Sequence, residues 1–209
     1  NLVSPGVLDM ARRDAQRIYV GKRRQYKAMR QTAIHDLMIE HASAGKRVVR
    51  LKGGDPFIFG RGGEEIASLG ESGIDCVVIP GITAALGGAS YAGIPLTYRN
   101  VSQSVRFITG HLARGEINID WPELAKPDQT LVIYMGLLGL GEICEQLSRN
   151  GMAPDMPAIL IENATLHNQR EVVGTITTLA ALVKKAQITG PSLTIVGRVV
   201  DYRTWRKAV

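Results

Sequence analysis

Hydrophobic positions along the chain change period several times, and the changes predict an alternation of helices and strands. Ser4-Pro5 has the form of an N-cap and first helical residue, opening a predicted helix to about residue 15. Residues 17–20 read as a short strand. From Met29 the apolar residues Ala33, Ile34, Leu37, Met38 and Ala42 recur on one helical face, and Gly45 closes that helix. Residues 47–51 read as a strand that runs into Lys52-Gly53-Gly54-Asp55-Pro56. A helix follows over 63–71, then a nearly continuous apolar strand over 75–79 that ends in Pro80-Gly81. A helix of small residues begins near Thr83, and 105–109 form another strand.

Beyond Leu112 the texture becomes polar, with Trp121-Pro122 and Lys126-Pro127-Asp128. The second half then reads strand (130–135), helix (140–150), strand (157–162), strand (170–174), helix (179–186) and strand (192–199). Continuous apolar strands alternating with helices predict an α/β protein with largely parallel or mixed sheets. The polar stretch divides it into two α/β domains, residues 1–112 and 113–209. A cleft between two such domains is the expected place for a ligand.

Composition adds limits to this picture. Among 209 residues, 45% are hydrophobic and 21% charged, the balance of an ordinary globular protein. No apolar run approaches the ~18 residues of a membrane span. No signal peptide opens the chain, so a cytoplasmic location is expected. Asn1 stands where an initiator Met would, in what reads as the middle of a domain. Cys76 and Cys144 both lie beside apolar residues and are expected to be buried, reduced thiols. Neither they nor His35, His41, His111 and His167 have metal-ligand spacing, so no metal is expected.

Charge changes the picture more. The net charge is +6 with a pI near 9.5. Arg12, Arg13, Arg17, Lys22, Arg23, Arg24, Lys27 and Arg30 crowd one stretch, and Lys46, Arg47, Arg50 and Lys52 another. Such a field suits a polyanionic partner: phosphates, nucleic acid or a polycarboxylate.

The chemistry concentrates in Lys52-Gly53-Gly54-Asp55-Pro56-Phe57-Ile58-Phe59-Gly60-Arg61-Gly62-Gly63-Glu64-Glu65. A glycine pair directly after a strand lets backbone amides approach a ligand at a strand end. Asp55 adds an acceptor suited to a ribose hydroxyl or an ammonium group. The segment is neither a P-loop, since no Gly-Lys-Ser/Thr follows, nor the dinucleotide fingerprint, since the glycine spacing differs. Pro80-Gly81-Ile82-Thr83-Ala84-Ala85 and Ala92-Gly93-Ile94-Pro95-Leu96-Thr97 follow at fixed distance.

Together these strings resemble the tetrapyrrole methylase family, the class III methyltransferases, from Leu2 to about Val200. Gln103-Ser104-Val105-Arg106, Thr109-Gly110-His111 and Tyr134-Met135-Gly136 resemble the branch acting on uroporphyrinogen III. That family opens with a strand, a Val-Gly-Ala-Gly-Pro-Gly-Asp type loop and an Asp ahead of the match to Leu2-Val3-Ser4. All of these would precede Asn1, so the chain is expected to lack its first strand.

The resemblance implies a fold of two α/β domains and S-adenosylmethionine as methyl donor, with C-methylation of uroporphyrinogen III at carbons 2 and 7 to give precorrin-2. It implies donor binding by Gly53, Gly54, Asp55, Ile58, Thr83, Ala84, Met135 and Ala164. It points to Arg61 and Lys22 as catalytic groups, with Glu64 orienting Arg61, and to Arg99 and His111 as holders of substrate carboxylates. Arginine suits the eight carboxylates of that substrate, because its guanidinium binds both oxygens of one at once. A homodimer is implied as well, with no nucleic acid or membrane partner. Two readings compete within the superfamily: a later corrin-ring methylase, and a methylase acting on RNA or protein. A nucleic-acid-binding module would interleave aromatics with the basic residues, and only Tyr19 and Tyr26 lie there.

Overall fold

Continuous apolar stretches suit strands covered on both faces, and two strands of the computed structural model are buried at every position. These are β2 (Gln129–Tyr134) and β3 (Pro157–Glu162). The structure describes residues 2–21, 29–110 and 119–203. They fall into two compact units, Asn1–Thr83 and Ala84–Val209.

In the second unit, β1 (Ser104–Thr109), β2, β3, β4 (Arg170–Thr175) and β5 (Ser192–Val196) form one sheet in the order β1-β2-β5-β3-β4. β1 runs parallel to β2, with Phe107 beside Val132. The pairs β2–β5, β3–β5 and β3–β4 are antiparallel. The sheet is therefore mixed, with one parallel pairing. Apolar continuity reports that both faces are covered, not strand direction. The short link from β3 to β4 can only turn the chain back on itself. β1 was expected to belong with the residues before 112, and it is hydrogen-bonded into this sheet.

One face of the sheet is covered by α6 (Leu140–Arg149) and α7 (Leu179–Lys185). Leu140, Ile143, Cys144 and Leu147 of α6 recur at helical spacing and are buried, whereas Glu145 and Arg149 pair in solvent. They pack with Leu131, Ile133, Leu160 and Leu179, and burying each such side chain contributes roughly 1.5–3 kcal/mol. α4 (Ala84–Tyr91) lies against β5, and a Cβ on Gly88 would sit 3.4 Å from Leu193 Cδ2. The 3₁₀ helix Arg198–Tyr202 follows β5, and α5 (Trp121–Leu124) is capped by the Asp120 carboxylate, which accepts from Glu123 N at 3.2 Å.

In the first unit, α2 (Gln31–Ser43) buries Ile34 and Met38 against Leu69 of α3 (Gly62–Glu71). Gly45 ends α2 at φ 74°, as the spacing predicts. The predicted helix from Ser4 is shorter than expected. α1 covers only Pro5–Leu8 and buries nothing, so no packing extends it. The strands predicted at 17–20, 47–51 and 75–79 join no ladder among the described residues. Val49, Val77 and Ile79 are accordingly exposed. An apolar run becomes a strand only when a neighbouring backbone pairs with it in a ladder, and among the described residues none forms one with these runs. Cys144 is buried as expected, but Cys76 is exposed on one of these extended stretches. No helix among the described residues is long and apolar enough to cross a membrane.

Candidate functional site

The turn after Lys52 is shaped by close backbone approach. Gly53 and Gly54 are exposed, Gly54 has φ 76°, and a Cβ on Gly53 would meet Leu2 O at 2.7 Å. A Cβ on Gly81 would lie only 2.3 Å from Gly54 O, so the turn at residues 80–83 lies directly against the glycine pair. Asp55 joins the two turns. Its Oδ2 accepts from Gly81 N at 3.1 Å and its Oδ1 from Phe57 N at 2.9 Å. These two N–H groups, Gly81 first, hold the carboxyl below the usual carboxylate range. Asp55, expected to accept from a ligand, thus has a backbone donor on each oxygen. Ile58 sits half-buried one turn on, its N–H directed to Asp55 O at 3.4 Å.

From there the chain winds tightly over one carbonyl. A Cβ on either Gly60 or Gly62 would meet Pro56 O at 2.6 Å, and Gly62 N donates to that oxygen at 2.9 Å. Between them Arg61 is left-handed, φ 60°, at the N-cap of α3, and Phe59 is left-handed too, φ 50°. The outcome is an outward-facing arginine. Arg61 Nε and Nη2 donate to the two Glu64 oxygens at 2.9 and 2.6 Å, with both side chains about half exposed. The shared hydrogen bonds raise the guanidinium above its ordinary pKa and lower that of Glu64. Arg61 therefore stays charged and cannot take up a proton. An exposed pair of this kind is weak and can be exchanged for another carboxylate.

The next residue is the one the sequence reading gave no role. Glu65 is only 4% exposed, and its carboxylate accepts from Lys52 Nζ at 2.9 Å, Arg50 Nε at 3.1 Å and Gln31 Nε2 at 3.0 Å. Burial pushes this carboxyl up, but Lys52 and Arg50 outweigh it and the net direction is down. Arg50 and Lys52, counted with the basic field, thus share one buried counter-charge inside the unit. The only hint in the sequence was an acid one position beyond the first-turn Glu64.

In the second unit the end of β2 meets the start of α4. Ala85 N, beside Ala84, donates to the Tyr134 hydroxyl at 2.9 Å. Met135 follows, left-handed at φ 55° and half exposed, so its thioether faces out from a strand end. Gly110 N donates to Tyr134 O at 2.7 Å, and a Cβ on Gly110 would lie 2.6 Å from Gly136 Cα. The glycines of the Thr109-Gly110 and Met135-Gly136 strings are therefore set by one backbone contact. Ala164 lies between two left-handed residues, Asn163 at φ 50° and Thr165 at φ 70°. It reaches α4, since a Cβ on Gly88 would sit 3.3 Å from Ala164 Cβ. Behind it the buried Glu162 accepts from Gly190 N, Thr189 N and Arg170 Nε at 2.6, 2.9 and 2.6 Å. Left-handed non-glycine residues cost free energy and gather at ligand sites, and Phe59, Arg61, Asn100, Met135, Asn163 and Thr165 all flank or occupy expected site positions.

The expected positions therefore divide into two groups. Gly53, Gly54, Asp55, Ile58 and Arg61 share one loop of the first unit and Glu64 lies in the first turn of α3 after it, with the buried Thr83 at the end of the turn at residues 80–83. Ala84, Met135 and Ala164 surround the N-terminal half of α4 in the second. Arg99 is exposed on the loop that Tyr98 and Ser102 close by mutual backbone hydrogen bonds at 3.1 and 2.9 Å. Lys22 and His111 lie outside the described residues, as does Tyr26. No cluster of three or more His, Cys, Asp or Glu that could hold a metal occurs among the described residues.

The chain is similar to known proteins. The sequence profile of the tetrapyrrole (corrin/porphyrin) methylases matches residues 1–180. Siroheme synthase of Pseudomonas putida (strain W619) is 55% identical over 202 residues, which cover 97% of this chain and 44% of that protein. Siroheme synthase of Nitrosospira multiformis is 54% identical over 200 residues, covering 96% of this chain and 42% of that protein. The chain thus spans less than half the length of these curated relatives. Among solved structures, uroporphyrin-III C-methyl transferase from Thermus thermophilus, complexed with S-adenyl homocysteine, superposes with a TM-score of 0.79 at 36% identity. That match covers 95% of this chain and 83% of the other.

Proposed function

The chain belongs to the tetrapyrrole (corrin/porphyrin) methylases, and on that premise we propose that it methylates carbons 2 and 7 of uroporphyrinogen III to give precorrin-2. The observation that carries this reading is the exposed Gly53-Gly54 turn held against Gly81 by Asp55. Its support from relatives is the Thermus protein solved with S-adenyl homocysteine and the siroheme synthases. The latter favour siroheme as the end use of the product.

S-adenosylmethionine would supply an electrophilic sulfonium methyl. The residues present suit it. Gly53 and Gly54 carry no Cβ and leave backbone groups open to a ligand, Ile58 lies one turn on, and Met135 offers a half-exposed thioether. The family likeness adds Thr83, Ala84 and Ala164 to the donor set. A pyrrole carbon is enamine-like and already nucleophilic, so the protein's main task is alignment, which can contribute roughly 7–11 kcal/mol.

Arg61, Arg99 and His111 are assigned to substrate carboxylates. Arg61 is suited because its fork already grips one carboxylate, Glu64, in both directions. A proton must also leave the ring. Arg61, held in its charged form, does not accept it. The reading takes the enzyme as a cytoplasmic homodimer working without a metal, on the strength of the family likeness.

Incubation of the protein with S-adenosylmethionine and uroporphyrinogen III should give a product heavier by two CH2 units, each methyl gained with one proton lost. Absence of methylation there, with turnover of a partly methylated corrin precursor, would move the assignment to a corrin-ring methylase. Light scattering checks the dimer, and a mass near 22.7 kDa for this chain would refute it.

A further inference from the structure

We infer that Asp55 is a positioning residue, a clasp that locks the Gly53-Gly54 turn to the turn at residues 80–83 before any ligand arrives. The inference rests on the reading of these turns as the donor site, and it changes how Asp55 serves that site. One carboxylate here joins two separate turns: Asp55 Oδ1 accepts from Phe57 N, two residues ahead, and Oδ2 from Gly81 N, 26 residues away in sequence. The first bond is the side-chain turn that aspartate makes with its own backbone, and it fixes the direction of the carboxylate. The second bond is then the one that reaches across.

The partner strand of backbone is cut to fit. Gly81 has no room for a Cβ, which would meet Gly54 O at 2.3 Å, Gly54 C at 3.1 Å and Asp55 Cα at 3.7 Å. Its φ is not in the left-handed region, so glycine is required here by proximity and not by conformation. Two turns that touch backbone to backbone have few side-chain contacts to hold them together. A charge-assisted hydrogen bond is the means the sequence provides. Neither a longer nor a neutral side chain does the same. Glutamate cannot make the local turn and reach Gly81 from the same place. Asparagine has one acceptor oxygen, so it would turn an NH₂ group toward one of the two N–H donors. Joined turns present exposed Gly53 and Gly54 in a fixed register, so the donor would not have to order them on binding.

The test uses Asp55→Asn, which preserves size and shape, and reads two quantities. The first is amide hydrogen exchange at Gly81 in protein free of ligand. The second is the affinity for S-adenosylhomocysteine by calorimetry. Loss of one charge-assisted hydrogen bond should speed Gly81 exchange and weaken binding each by roughly tenfold or more. At saturating donor kcat should stay within about threefold while KM for the donor rises, because a clasp acts on donor binding and not on the transferring methyl.

Weakened binding with unchanged Gly81 exchange would make Asp55 a direct ligand contact and overturn the inference. Unchanged binding and exchange together would overturn it as well. If wild-type protein fails to bind S-adenosylhomocysteine while Gly81 exchange still depends on Asp55, the donor-site reading falls. The positioning role falls with it, and only a structural bond is left.

Discussion

The Lys52 ammonium donates to the buried Glu65 carboxylate at 2.9 Å, which ties the residue entering the Gly53-Gly54 turn to the first turns of α3. Arg50 and Gln31 share the same carboxylate, so α2, α3 and the chain before the turn are held at one point. Glu65→Gln keeps the shape and leaves Lys52, whose side chain is 14% exposed, without its counter-charge. Urea denaturation should show a loss of about 3 kcal/mol, the low end for a broken buried pair because Arg50 can still reach water. The folded pKa of Glu65 lies below its unfolded value, near 4.3. Its contribution is therefore present above about pH 4–5 and lost as pH falls through the depressed value. Glu65→Gln should remove that part of the acid sensitivity, and an unchanged acid profile would deny the pairing.

The two cysteines should react differently. Burial pushes the Cys144 thiol up to about 11, while Cys76 is exposed. At pH 8 a thiol reagent should modify one cysteine per folded chain, Cys76, and reach Cys144 only after denaturation. Peptide mass mapping checks the site. Labelling of Cys144 in the folded protein would contradict its place in α6.

These residues also mark how far the sequence alone could be read. α2, α6 and the glycine-rich loop were legible because each is a local pattern: apolar residues on one helical face, or glycines after an apolar run. The residues at 47–51 and 75–79 carry an equally clear strand pattern, but a strand exists only with a neighbour, which a pattern does not contain. Strand direction was hidden for the same reason. Within the site, the glycine turn and Arg61 were visible as motif. The roles of Glu65, Asp55 and Tyr134 were not, because their partners lie 34, 26 and 49 residues away.

Gly110→Ala tests the contact that joins the ends of β1 and β2. The added Cβ would meet Gly136 Cα at 2.6 Å and Ile143 Cδ1 at 2.8 Å. Ile143 can shift by rotation, but the Gly136 backbone cannot without moving Met135. The strain should cost about 1–3 kcal/mol in denaturant unfolding and weaken S-adenosylhomocysteine binding through Met135. Tyr134→Phe is the companion variant: it removes the acceptor for Ala85 N and leaves a buried N–H, at a cost of roughly 1–3 kcal/mol. Wild-type stability in both would show that this junction tolerates rearrangement.

Arg61 offers the sharpest separation between a charge and a fork. Its left-handed backbone, the tight glycines on either side and its half exposure place it where a ligand can reach it, and no part of the core depends on it. Arg61→Ala should leave S-adenosylhomocysteine affinity near wild type and lower kcat/KM for uroporphyrinogen III by roughly 10- to 100-fold, the range for one lost charge-assisted hydrogen bond. Arg61→Lys keeps the charge without the two parallel N–H groups. If Arg61 clamps a carboxylate, Lys recovers little of the lost rate; if positive charge suffices, Lys recovers most of it. Glu64→Gln completes the set, because it frees Arg61 without altering it. Should Arg61 act only by holding Glu64, Glu64→Gln would match Arg61→Ala. Should Arg61 grip the substrate, Glu64→Gln would leave kcat/KM close to wild type. Full activity in all three variants would remove Arg61 from the reaction and leave Lys22 as the cation to examine.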